Sequence, residues 1–135
     1  MPAIAQQYHQ HQTHYLRKDI AFNTAASGTA LSMGAIPAGA MVLATTVGIR
    51  VAFNAATTNV LIVGTSGDDD ALVAEGGVDE TAVAVTRVVP ATLAGLLSAS
   101  ADTEIFVKYT QSGTAASTGS AVVVVEYVLP TDTLS

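Results

Sequence analysis

A run of 13 residues with a period of two constrains the fold more than any other feature of the chain. It covers residues 41 to 53, where seven alternate side chains, mostly apolar, would point to one side of an extended strand. These residues are Met41, Leu43, Thr45, Val47, Ile49, Val51 and Phe53. Because such a strand is long, we expect a bend or bulge near Gly48, which would split it into two segments.

The rest of the chain contains shorter strand signals separated by Gly- and Ser-rich turns. We expect residues 60–63 to fold back on the long strand as a hairpin, and residues 103–110 to form a hairpin with 121–128. In the second hairpin Ile105, Val107 and Tyr109 face inward. Counting the split strand twice and adding residues 16–22 and 81–89 gives about seven segments and no long helix. This pattern predicts an all-β fold, a two-sheet antiparallel β-sandwich that is jelly-roll-like.

The domain organisation follows from where apolar residues begin. Residues 1–15 are rich in Gln and His and have little to bury, so we interpret them as an extended N-terminal arm. Residues 16–135 are the size of one ordinary domain and form a single β-sandwich.

Composition excludes several classes of function. Only 5 residues are basic and the net charge is −6, which argues against a nucleic-acid partner. The uncharged stretch at residues 20–49 is broken by glycines and a proline, so we also expect no membrane partner. There is no cysteine, and no motif calls for a cofactor. All three histidines lie in the arm and no Gly-x-Ser-x-Gly elbow occurs, so we assign no catalytic residue and expect no enzyme.

Two groups of residues have metal-ligand chemistry. Asp68, Asp69 and Asp70 form an acidic run of the kind that could hold Ca²⁺. We prefer to interpret it as solvated charge, with one Asp capping a helical turn at residues 71–75. His9, His11 and His14 could converge on a transition metal, but nothing in the arm would fix them. We therefore expect no bound metal and treat these histidines as solvated or packed in an interface.

Several short segments in sequence order resemble small virion proteins of tailed phages and prophages. The resemblance covers residues 36 to 128, and it implies a β-sandwich or jelly-roll module that decorates the outside of an HK97-type capsid. The segments are Ile-Pro-Ala-Gly-Ala at 36–40, Ala-Phe-Asn at 52–54, Val-Gly-Thr at 63–65 ahead of the Asp run and Ala-Leu at 71–72, Phe-Val-Lys-Tyr-Thr at 106–110 and Val-Glu-Tyr at 125–127.

By that resemblance the partner is the major capsid protein, the protein self-associates as a homodimer or homotrimer, and it is located on the capsid exterior of the virion. Phe106 lies on the polar face of its strand, where it would anchor an interface or pack under a second layer. Alternative functions are a tail, fibre or head-to-tail module, or a carbohydrate- or receptor-binding sandwich that uses Tyr109 and Tyr127. From position and chemistry we expect interface contacts at Tyr8, His9, His11, His14, Tyr15 and Phe106.

Overall fold

The computed structural model describes residues 13–91 and 101–129, which form seven strands. Residues 1–12, which make up most of the expected arm, lie outside the described residues; Thr13 to Tyr15 belong to the first strand. The strands are β1 (Thr13–Ala21), β2 (Ala30–Ile36), β3 (Met41–Val51), β4 (Thr58–Gly64), β5 (Val85–Val88), β6 (Thr103–Ser112) and β7 (Ser120–Val128).

The strands form two antiparallel sheets that pack face to face, which confirms the predicted β-sandwich. One sheet has four strands in the order β1-β7-β3-β5, and the other has three in the order β2-β6-β4. Each strand lies in the opposite sheet from the strand before it, so every connection crosses between the sheets. Within the described ranges no helix is long and apolar enough to cross a membrane.

This alternation shows that both predicted hairpins are wrong. Strand β4 pairs with β6 in the three-stranded sheet and does not fold back on β3. Strand β7 lies between β1 and β3, in the sheet opposite β6. The inward residues of β6 were nevertheless predicted correctly, since Ile105, Val107 and Tyr109 are all buried. Alternation along one strand identifies its buried face but says nothing about its neighbour.

The long strand is continuous and not split in two, but the predicted bulge near Gly48 is confirmed. A second irregularity near the start of the strand was not predicted. The register of the strand with β7 shifts between Val42 and Ala44 and again between Ile49 and Val51. The first shift places Val42 and Ala44 in the core and leaves Met41 exposed, so the alternating set does not share one face. An extra residue in one strand reverses the side to which all later side chains point.

Two local elements also differ from expectation. Strand β2 was not predicted, because a register shift between Ser32 and Gly34 interrupts its alternation. Residues 71–75 contain no helical turn, and Val73 instead forms a β-bridge with Val63 on the edge of β4. The Asp run therefore caps no helix. The predicted strand at 81–89 is shorter than expected, with only β5 in strand conformation.

The core between the sheets is built mainly from valines and other small side chains, which lets the sheets pack closely. Phe53 is its largest fully buried residue, and its ring lies 4.6 Å from that of Tyr109 between centroids. Gly119 (φ +142°) leaves room for this ring, because a Cβ there would approach Phe53 Cγ to 2.7 Å. The largest fully buried side chains are Val42, Thr45, Val47, Phe53, Leu61, Val63, Val73, Ile105, Val107, Val123 and Val125.

Candidate functional site

The outer face of the three-stranded sheet carries a groove that brings together two groups of residues singled out in the sequence. Phe106 forms part of one wall, and the loop containing Asp68 and Asp69 forms another. Between them Lys108 donates a hydrogen bond to Asp69 at 2.6 Å. The groove has a volume of about 540 Å³, and its lining residues are Ala30, Thr65, Ser66, Gly67, Asp68, Asp69, Phe106 and Lys108.

A single glycine allows this loop to fold back over the sheet. Gly64 ends β4 opposite Phe106, and a Cβ at this position would overlap the carbonyl oxygen of Asp68. The turn is closed by the Thr65 N–H, which donates to the Asp68 carbonyl at 2.8 Å, and by the Asp68 N–H, which donates to Thr65 Oγ1 at 3.2 Å. The close approach of backbone to backbone at Gly64 therefore requires glycine at this position.

The three aspartates at the groove offer carboxylate oxygens within 4.8 Å of one another. The pKa of Asp70 is raised, first by a hydrogen bond with Asp68 and further by repulsion from both neighbouring carboxylates. All three residues are exposed, and Asp69 is already paired with Lys108. Exposed carboxylates of this kind are accommodated by water as well as by a hard cation. They are held by turn hydrogen bonds and not by a helix N-terminus.

The expected interface residues of the arm are only partly within the described chain. Tyr8, His9 and His11 lie outside it. His14 lies on β1 opposite Tyr127, and the two rings stack with centroids 5.7 Å apart. Tyr15, the next residue, points to the other side of the strand and is 66% exposed. Of these residues, Tyr15 is therefore the one whose side chain the described fold leaves free for a partner.

The outer face of the four-stranded sheet is unexpectedly apolar, and this surface was missed in the sequence. Val123 and Val125 of β7 point into the core, while Val122 and Val124 point outward. Val85 of β5 is 75% exposed on the same outer face. The four consecutive valines of β7 were the available signal, because a strand with one solvated face normally alternates apolar and polar residues.

Ion pairs cross this surface. Arg87 reaches across β3 to Glu126 on β7, with Nη1 and Oε1 2.5 Å apart. Arg17 pairs with Asp19 at 3.0 Å, and Arg50 approaches the same carboxylate at 3.6 Å. Hydrogen bonding to Arg17 lowers the pKa of Asp19 and keeps it ionised. These groups are half exposed, so the pairs contribute little stability but set the charge of the surface.

One buried polar cluster lies at the end of the core near Phe53. The Tyr109 hydroxyl donates to Asn59 Oδ1 at 2.6 Å, and Leu61 N–H donates to Glu80 Oε2 at 3.0 Å. Burial raises the pKa of the Glu80 carboxyl and that of the Tyr109 hydroxyl. Each of these groups is engaged within the fold, and Tyr109 is only 7% exposed. The cluster therefore has a structural role, and Tyr109 does not supply the exposed platform that a carbohydrate site needs.

The described part of the chain contains one histidine, and it is not placed next to a nucleophile. His14, the histidine in this part of the chain, is stacked on Tyr127, and no nucleophile is hydrogen-bonded to it. The groove offers carboxylates, one ammonium group and one aromatic face, which suit contact with a partner surface. The described surfaces thus have the chemistry of interaction sites.

The sandwich, with successive strands alternating between its sheets, is a fold found in chains of phage capsids. No family model matches the sequence, and a search of curated proteins finds no match. Among solved structures, a chain of the cyanophage Pam1 capsid asymmetric unit is similar, with 23% identity, a TM-score of 0.63, and coverage of 90% of this chain and 87% of that one.

Two further capsid chains have the same fold. A chain of the Ralstonia phage GP4 capsid is 20% identical with a TM-score of 0.61, and the match covers 90% of this chain and 86% of that chain. A chain of the acid-stable capsid of Helicobacter pylori bacteriophage KHP30 is 15% identical with a TM-score of 0.61, and the match covers 90% of this chain and 91% of that chain. At these identities the likeness establishes a shared fold.

Proposed function

We propose that this chain is a non-enzymatic virion structural protein, a decoration or cement protein that binds and stabilises an assembled phage capsid. The observation that carries the proposal is the match of 90% of the chain to chains of three phage capsids. The matches also cover 86–91% of the three capsid chains, so these chains are about as long as this one. The likeness is thus to whole small capsid chains and not to one domain of a larger protein.

The strand order supports the jelly-roll part of the proposal. A jelly roll has eight strands in two sheets, and most of its connections cross from one sheet to the other. Here the second sheet has three strands, and the Val63–Val73 bridge occupies the β4 edge where a fourth would lie. We interpret the fold as a jelly roll in which one strand is reduced to a single bridge.

The proposed mechanism is mass action. A protein that binds only the assembled shell stabilises it by RT ln(1 + [L]/Kd) at each site, where [L] is its free concentration. The total stabilisation is the sum over the many sites of one shell. The proposed partner is an HK97-type major capsid protein, contacted on the exterior of the shell. Self-association as a homodimer or homotrimer would multiply the contacts of each bound unit.

Sedimentation with shells tests the proposal. Empty, expanded HK97-type shells of the encoding phage, purified without this protein, are mixed with increasing amounts of it and pelleted. We expect a saturable number of copies per shell and a shell melting temperature that rises with protein concentration. Unexpanded shells serve as the control. Absence of binding to expanded shells would contradict a cement role and favour a tail, fibre, head-to-tail or receptor-binding component.

A further inference from the structure

The exposed apolar side chains of the described chain are concentrated on one surface. Seven large ones are exposed, and all but Leu129, which follows β7, lie on the outer face of the four-stranded sheet by strand register or by continued alternation. We call this surface the apolar face. Its exposed members are Tyr15, Met41, Val51, Val83, Val85 and Val89, and the outward valines of β7 lie between them.

The opposite surface of the sandwich has a different character. On the outer face of the three-stranded sheet, Ser32 is hydrogen-bonded to Glu104 and Lys108 is paired with Asp69. The chain's own loop at residues 65–70 packs against this face, where Phe106 is half-buried. Val60 and Ile62 also lie on this outer face, but they are half-buried. The face is partly covered by the chain's own loop, whereas the apolar face has no cover in the described structure.

Cationic residues are concentrated on the strands of the four-stranded sheet, whereas most acidic residues lie in loops. Four of the five cationic residues, Arg17, Lys18, Arg50 and Arg87, lie on strands of the four-stranded sheet. Of the ten acidic residues in the described ranges, eight lie elsewhere. The apolar face thus also carries three arginines against Asp19 and Glu126, on a molecule whose net charge is −6. This local excess of positive charge suits an acidic partner surface.

We propose, building on the proposed function, that the apolar face docks on the capsid shell, at a shell surface that presents both apolar and acidic groups. A second copy fits this face less well. Two copies in a two-fold contact would place surfaces of the same net charge together. A head-to-tail contact would use the opposite surface of the sandwich, but no exposed large apolar side chain in the described residues lies on the three-stranded sheet.

A matched pair of substitutions tests this assignment. Val85→Asp and Thr110→Asp each place one carboxylate at an exposed strand position, on the four-stranded and three-stranded sheet respectively. We expect Val85→Asp to weaken binding to expanded shells at least about 10-fold, since it removes apolar contact and repels an acidic partner. Thr110→Asp should change binding less than about 2-fold. Equal melting temperatures of the two variants would show that both remain folded.

Light scattering on the free variants separates the possible occupants of the face. We expect both variants to keep the wild-type oligomeric state. A Val85→Asp variant that changes its oligomeric state would overturn the inference in favour of a contact between copies. Wild-type affinity of Val85→Asp for shells, or equal weakening by both substitutions, would also overturn it. If the wild-type protein bound no shell, the proposed function itself would fail.

Discussion

At the residue scale, the most unusual group in the fold is a buried carboxyl. Glu80 is 6% exposed, and its backbone carbonyl accepts a hydrogen bond from Phe53 N–H while its side chain accepts one from Leu61 N–H. Glu80 thus connects the segment before β5 to β4 through Leu61 and to the residues just after β3 through Phe53. The cost of this connection is the burial of a charge, and burial raises the pKa of Glu80 even though the Leu61 hydrogen bond acts in the opposite direction.

This burial predicts a pH dependence of stability. A carboxyl with a raised pKa in the folded state binds its proton more tightly there than in the unfolded chain. Its contribution to stability therefore falls as the pH rises from the unfolded value of 4.5 through the folded pKa. Glu80→Gln keeps an oxygen that can accept from Leu61 N–H and removes the charge. We expect its unfolding free energy, relative to wild type, to increase with pH across this window and then level off.

Urea unfolding of both proteins from about pH 4 to about pH 8 measures this difference. Subtracting the two curves removes the contributions of carboxyls that are common to both and do not interact with Glu80, including Asp19, whose pKa is lowered. Glu104→Gln, at an exposed position on β6, is the control. A difference curve that stays flat through the window would show that burial does not govern the ionisation of Glu80.

At the scale of elements, the sequence predicted which segments are strands much better than how they pair. The inward residues of β6 were predicted from alternation, because the polarity of each side chain along one strand indicates whether that side chain is buried. Pairing depends on residues far apart in sequence; Thr58, for example, is opposite Ser112. Strand β2 was not predicted because its bulge breaks the local period. The groove was not predicted either, because it forms only when the loop after Gly64 folds back over Phe106.

The apolar face shows the same division between what is local and what is not. The run of valines in β7 was visible in the sequence and indicated a strand apolar on both sides. Its outer side becomes a continuous surface only because β3 and β5 add Val51 and Val85 beside it. Neither neighbour is adjacent to β7 in the chain, so periodicity alone could not assemble the patch.

The loop after β4 offers a prediction based on two glycines. In Gly64→Ala the new Cβ would overlap backbone atoms, approaching the Asp69 carbonyl carbon to 2.5 Å, so the loop must shift. In Gly67→Ala the Cβ meets no atom within 4 Å. We expect Gly64→Ala to lose about 1–3 kcal/mol of unfolding free energy and Gly67→Ala to change it by less than about 0.5 kcal/mol.

Chemical denaturation of the two variants checks this expectation. Both substitutions restrict the unfolded chain in the same way, so their difference isolates the clash in the folded state. Equal stabilities would mean that the loop does not lie against Gly64 as described. In that case the groove beside Phe106 would have a different shape.

At the scale of the whole molecule, the sandwich has two unlike sides. The apolar face carries the exposed large apolar side chains, and the outer face of the three-stranded sheet is partly covered by the chain's own acidic loop. The N-terminal segment joins the first of these. Thr13 begins β1 opposite Val128, and Val128 is in turn opposite Met41 of the apolar face. Residues 1–12 are thus attached at the edge of the surface that we propose docks on the shell.

Two truncations distinguish an arm that binds from one that belongs to the fold. Deleting residues 1–12 leaves all of β1, whereas deleting 1–15 also removes three residues paired with β7 and the stacking of His14 on Tyr127. We expect the shorter deletion to keep the melting temperature within about 2 °C of wild type, and the longer one to lose about 1–3 kcal/mol of stability.

Shell binding by the shorter deletion then reports on the arm alone. If residues 1–12 reach a neighbouring subunit, this variant should saturate shells only at higher concentration while its apolar face still docks, because the two contacts act together. Unchanged affinity would remove the arm from the interface and leave the sheet as its main contact. A melting temperature as low as that of the longer deletion would instead show that residues 1–12 stabilise the sandwich itself, and would move the boundary of the domain toward the N-terminus.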